Sequence, residues 1–181
     1  MADYQTDVLD HLGFVIGGTA STASTAGNTV TRFWSGHLNG DDGTGLLAPS
    51  GEPKFQGCYS VPPGGISFTP VGIILPPSSF TAVLNMQGPE ENTDNIRLLI
   101  LLAPADSVAQ WPNVSAYRDI VPAQIRAHMT LKDSGGNAVP NILQAFVRGG
   151  KSGKIGWGTE SYYGWDFDIQ VRRLPIATYI P

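Results

Sequence analysis

Asn95-Ile96-Arg97-Leu98-Leu99-Ile100-Leu101-Leu102 is the stretch that decides the fold class. In an extended chain alternate residues share a face, so Ile96, Leu98, Ile100 and Leu102 point one way and Leu99 and Leu101 the other. Apolar side chains on both faces indicate a central strand covered from both sides. Residues 165–171 read differently. There Trp165, Phe167, Ile169 and Val171 alternate with Asp166, Asp168 and Gln170, and Arg172 continues the polar row. That pattern predicts a strand with one face in the core and one turned outward.

Further strands are predicted over residues 30–34, 58–61 and 71–75, the last stopped by Pro76-Pro77. Residues 80–86 form a further edge strand and residues 88–92 a turn. Residues 142–147 pair with 165–171 as a long hairpin, leaving 148–164 as its glycine-rich tip. A short helix is expected over residues 7–14, with Val8, Leu12 and Val15 on one face and Gly17-Gly18 ending it. The main helix is expected over residues 112–131, where Val114, Tyr117, Val121, Ile125 and His128 or Met129 recur at helical spacing. Pro122 predicts a kink or a fresh start within it. Together these predict an α+β fold: one twisted, mostly antiparallel sheet with a main helix packed on one face, plus long loop insertions. The expected organisation is a single domain over residues 1–181. Residues 17–65 form a loop-rich insertion or arm, and residues 174–181 a C-terminal tail.

Composition narrows the function. Gly and Pro account for 36 of 181 residues and charged residues for only 14%, against a usual share of about 25% charged. The glycine and proline argue against a helical bundle, and the 41% hydrophobic content against disorder. So little charge suits a surface buried against other subunits better than one that must keep a free monomer in solution. The net charge of −4 lacks the basic footprint of a nucleic-acid binder. It is also uneven, at −6 over residues 1–91 and +2 over residues 92–181. Halves of opposite sign suit head-to-tail docking between copies. The single cysteine, Cys58, excludes an internal disulfide. The acidic, polar first ten residues lack the features of a signal peptide. No apolar run is long enough to span a membrane.

Tests for chemistry return little. Gly149-Gly150-Lys151-Ser152-Gly153-Lys154 evokes a phosphate-binding loop, yet Ala145 or Arg148 occupies the place of its first glycine and no helix is predicted after it. Asp166 and Asp168, with Glu160 nearby, would share a face of a strand, but a solvated or interface face explains them better than an acid/base pair. His11, His37 and His128 show no zinc spacing, and Cys58 reads as a small buried hydrophobe. No catalytic residue, metal ligand or cofactor is therefore expected. Trp157, Tyr162 and Tyr163 cluster with Trp165 near the hairpin tip, where exposed they would form a sugar-stacking platform or an interface anchor and buried they would be core.

The order of these segments resembles a known family. An apolar strand (Thr69-Pro-Val-Gly-Ile-Ile-Leu75), the strand 96–102, a helix with Tyr117-Arg-Asp-Ile-Val-Pro122 and a hairpin follow one another. The hairpin carries Gly153-Lys-Ile-Gly-Trp-Gly158 and Tyr163-Gly-Trp-Asp-Phe-Asp-Ile-Gln-Val171. Residues 69–173 thus resemble the tail terminator or tail-completion proteins of long-tailed bacteriophages, of the siphophage type. Residues 17–63 depart from that family's compact pattern as an insertion.

The resemblance implies a structural virion protein, not an enzyme. It would close into a ring, usually hexameric, on the last ring of the tail tube, stop its growth and join the tail to the head connector. The implied partners are copies of itself, the tail tube protein and the head–tail connector protein, with DNA only a transient passenger through the lumen and no membrane. The implied location is the tail or neck of the virion, reached from the host cytoplasm. Lys151, Lys154, Trp157, Tyr162 and Tyr163 are the expected interface residues, and residues 17–31 and 36–57 the expected arms onto neighbouring subunits. A head–tail connector or capsid decoration protein, or a carbohydrate-binding module built on the aromatic cluster, are the alternatives.

Overall fold

The computed structural model describes residues 4–18, 32–34, 55–83, 91–106, 114–133 and 136–174. Most of the two expected arms, residues 84–90 and the tail beyond Leu174 lie outside the described residues. The elements in chain order are α1 (Tyr4–Gly17), β1 (Phe33–Trp34), β2 (Cys58–Tyr59), β3 (Val71–Val83), β4 (Glu91–Pro104), α2 (Val114–Ala127), β5 (Ile142–Trp157) and β6 (Glu160–Arg173). The strands form one six-stranded sheet in the order β1-β2-β3-β4-β6-β5. Every pairing is antiparallel except β2 with β3. The fold is α+β.

β4 is a central strand, as its sequence requires. Its register sets Leu98 opposite Phe167 and Ile100 opposite Trp165 on β6, and Ile100 opposite Gly72 and Leu98 opposite Ile74 on β3. One face, carrying Ile96, Leu98, Ile100 and Leu102 with Trp165, Phe167, Ile169 and Val171, packs against both helices in the larger core. Trp165 stacks on Phe167 with ring centroids 5.3 Å apart, and its indole N–H donates to the Val114 carbonyl at 2.5 Å. That bond holds the start of α2 over β6. Val114, Tyr117, Val121 and Ile125 are the buried stripe of α2.

Several expectations need correction. α2 ends at Ala127, so His128 and Met129 lie in the turn beyond it and Met129 is exposed. Pro122 sits inside the helix without splitting it. α1 starts earlier than expected and buries Leu9, Phe14 and Ile16 as well as Val8, Leu12 and Val15. It contacts β1, β2, β3 and α2, so no single stripe suffices. Ser60 Oγ donates to Asp10 at 2.8 Å and Arg32 pairs with the same carboxylate, pinning α1 to the β1–β2 corner. Gln124 Nε2 donates to the Val15 carbonyl at 3.0 Å and ties the helices together.

Pro76-Pro77 does not stop the strand. β3 continues to Val83 and takes in the start of the segment expected as a separate edge strand, with a register irregularity between Leu75 and Ser79. The described pairing of β2 with β3 involves only Gly72 and Ile73, so from Leu75 onward no pairing on that side needs an N–H, and proline is tolerated there. Residues 91–92 belong to β4 rather than to a turn.

The largest correction concerns residues 148–164. They are not an irregular tip. β5 runs to Trp157, β6 starts at Glu160, and the turn is Gly158-Thr159 alone. Gly158 has φ 61°, the left-handed value that favours glycine in a two-residue hairpin turn. Glycine is a poor strand former, but pairing with the aromatic β6 outweighs local preference. Two glycines are required by packing. A Cβ on Gly164 would overlap the Ile100 carbonyl of β4, and one on Gly150 would lie 2.6 Å from the Phe167 ring. At Gly156 a Cβ would meet nothing within 4 Å.

Gly164→Ala is expected to destabilise the protein by about 3 kcal/mol, because backbone must move to admit the methyl group. Gly156→Ala should change stability by less than about 0.5 kcal/mol. Chemical denaturation of both variants checks the contrast, and equal effects would contradict the β4–β6 register.

Candidate interaction surface

The second face of the sheet carries no residue of either helix in its apolar cluster. Val71, Ile73, Leu99, Leu101 and Tyr162 are buried there, with Tyr59, Ile66, Leu75, Ile155 and Trp157 packed half-buried around them. Burial raises the Tyr59 pKa above its ordinary value, so this hydroxyl stays neutral. Trp157 is fixed from its polar end, since its indole N–H donates to the Pro63 carbonyl at 3.1 Å.

Further along the same face the apolar cluster gives way to a cross-strand polar ladder. Arg97 on β4 grips Asp166 on β6 through two bonds, Nε to Oδ1 at 3.1 Å and Nη2 to Oδ2 at 2.5 Å. Lys151 on β5, opposite Asp166 in the register, places Nζ 3.7 Å from Oδ2. The bond to Asp166 raises the Arg97 pKa above its ordinary value. Next, Gln170 donates to Asn95 and Asn95 to Ser79, each at 3.2 Å, and Arg172 pairs with Glu91 at 2.5 Å. Four strands, β3, β4, β6 and β5, are thereby cross-linked by side chains as well as by backbone.

Where the two zones meet lies an open groove of about 430 Å³, bounded by Leu75, Leu99, Ile155 and Trp157 on its apolar side and by Arg97, Lys151, Lys154 and Asp166 on its polar side. Two cations on this face, Arg97 and Lys151, against the one carboxylate of Asp166 leave it positive. A smaller polar hollow of about 240 Å³ adjoins it beside Arg97, Gly150, Lys151, Asp166 and Asp168. An apolar patch rimmed by charge on a rigid sheet is suited to binding a macromolecular surface.

The expected interface residues are only partly brought together. Strand alternation sets Lys151, Trp157 and Tyr162 on this face and Lys154 and Tyr163 on the other, where register pairs them. Lys154 lies along the groove's rim in β5 with its side chain on the opposite face. Tyr162 is 6% exposed and serves as core, so Trp157, Tyr162 and Tyr163 do not make one stacking platform. Asp166 is 9% exposed and ion-paired, not solvated as expected, whereas Asp168 is exposed. Glu160 lies six residues from Asp166 along β6, about 20 Å in an extended strand. Among the described residues no three His, Cys, Asp or Glu side chains converge as a metal site. Cys58 is fully buried, and desolvation pushes its thiol pKa far up, so it is kept protonated and inert. The glycine-rich run 149–154 is extended edge strand, whose N–H groups point alternately to opposite sides and form no phosphate cradle. No described helix is long and apolar enough to cross a membrane.

Sequence reasoning missed Arg97, Asp166, Leu75, Leu99 and Ile155 as parts of one surface. The parity of Arg97 with Leu99 and Leu101 signalled a shared face, but the register that brings Asp166 to Arg97 is a long-range pairing. The sequence matches no protein-family model, and no curated protein is significantly similar to it.

Asp166→Ala should cost about 2 kcal/mol, since it strips two cations of their acceptor. Arg97→Ala should cost under about 1 kcal/mol, because the guanidinium is half exposed. Urea midpoints of the two variants test the order; a larger loss for Arg97→Ala would contradict the role given to Asp166.

Proposed function

We propose that the chain is a structural virion protein of a long-tailed bacteriophage. It forms a ring on the end of the tail tube, stops tube growth and joins the tail to the head connector. The observation that carries this reading is the sheet face opposite the helices. There a buried apolar cluster with a half-buried margin at Leu75, Ile155 and Trp157 borders a cationic groove on a frame stiffened by cross-strand ion pairs. Such a face is suited to docking proteins, with a rigid backbone that limits the ordering cost of association. The sparse charge of the chain supports the same reading, as does the opposite sign of its halves. The function is non-catalytic: ring closure and tube capping are assembly by complementary surfaces. A hexameric ring on a tube of matching symmetry is the expected form, with DNA passing through its lumen.

Native mass measurement combined with electron microscopy tests this directly. A closed oligomer that decorates one end of purified tail tubes is the expected result. A stable monomer with no affinity for tail tubes would overturn the reading.

A further inference from the structure

β5 is the terminal strand of the sheet, and its two halves treat their outer edge differently. In the first half Ala145 N–H donates to the Met129 carbonyl at 2.6 Å, and register irregularities fall between Ile142 and Gln144 and between Val147 and Gly149. A cover and bulges are devices by which proteins prevent unwanted strand pairing. Among the described residues the second half shows neither. From Gly149 to Trp157 nine consecutive residues pair with β6 without interruption, a straight edge of about 30 Å. Its residues are largely exposed, and a Cβ at Gly149, Gly153 or Gly156 would meet nothing. No described residue covers this backbone edge, which has the form that accepts an incoming strand.

We infer that the outer edge of β5 from Gly149 to Trp157 is a strand-addition seam that takes an extended, acid-bearing segment of a second copy of this chain. The inference rests on the assembly reading above and specifies its contact. Charge selects the occupant. Residues 148–157 hold Arg148, Lys151 and Lys154 and no acid. Pairing β5 with β5 of a second copy would set three cations against the same three, which is destabilising. The incoming segment must instead come from a different, acidic part of the neighbour, and residues 1–91 carry the −6 that qualifies. A contact between unlike surfaces propagates from copy to copy rather than stopping at a two-fold dimer, and it closes into a ring when the rotation between copies closes. The adjacent groove, with Ile155 and Trp157 on its apolar side, receives alternate side chains of the added strand.

The test compares amide hydrogen exchange of full-length protein in its assembled and dissociated states, with tube binding scored separately. Carbodiimide cross-linking of mixed isotope-labelled and unlabelled copies accompanies it. The expected result is protection of amides in residues 149–157 by about tenfold or more on assembly, with links from Lys151 or Lys154 to carboxylates of another copy. Lys154→Glu, at an exposed position, should keep the monomer's circular dichroism and weaken assembly about tenfold or more. Rings that cap tubes while residues 149–157 exchange as fast as in the monomer would overturn the seam and leave the terminator reading standing. Protection of the seam in an oligomer that ignores tail tubes would support the seam and overturn the terminator reading. A monomer at all concentrations would overturn both.

Discussion

The pairing of β4 with β6 is the constraint on which the rest depends. It joins a strand that is apolar on both faces to one that is apolar on a single face. On the helix side this pairing assembles Leu98, Ile100, Trp165 and Phe167, and the Trp165 bond to Val114 then fixes where α2 lies. On the other side the same register brings Asp166 within reach of Arg97 and aligns Leu99 and Leu101 with Tyr162. Gly164 permits it, since any side chain there would collide with β4. A buried ion pair, Arg173 Nε to Asp94 Oδ2 at 2.5 Å, closes the far end on the helix side. Leaving either charge without the other there would be costly, so the pair helps specify the register.

Much of the fold was legible in the sequence because it is written in local periodicity. The double-sided run 95–102, the alternation 165–171 and the stripe Val114, Tyr117, Val121 and Ile125 each name their own element and its buried face. What was not legible depends on partners far away in the chain. Residues 148–157 read as loop because four glycines and no alternation carry no strand signal, and pairing with β6 holds them extended. Pro76-Pro77 read as a stop because nothing local reveals that β3 has no described partner on that side beyond Ile73. The candidate surface divides the same way. Trp157 and Lys151 were singled out by residue type and lie on this face, whereas the burial of Tyr162 is decided by the facing strand and could not be read locally.

The two faces of the sheet have different jobs. One is sealed by helices and supplies stability. The other pairs a modest apolar cluster with a ladder of ion pairs and an open groove, and it continues onto the outer half of β5, which no described residue covers. That asymmetry gives the unusual composition a physical reading. Little charge and many glycines are disadvantages in an isolated domain, but they suit a chain whose surface and strand edge are completed by neighbours.

The central claim is that the outer half of β5 and the groove beside it are buried between copies of the chain. A density map of the assembled oligomer, at a resolution that traces strands, tests this most directly. The account predicts a neighbour's extended segment alongside residues 149–157, with the groove at Leu99, Ile155 and Trp157 covered. Subunit contacts that run elsewhere, with that edge and groove open to solvent, would contradict it.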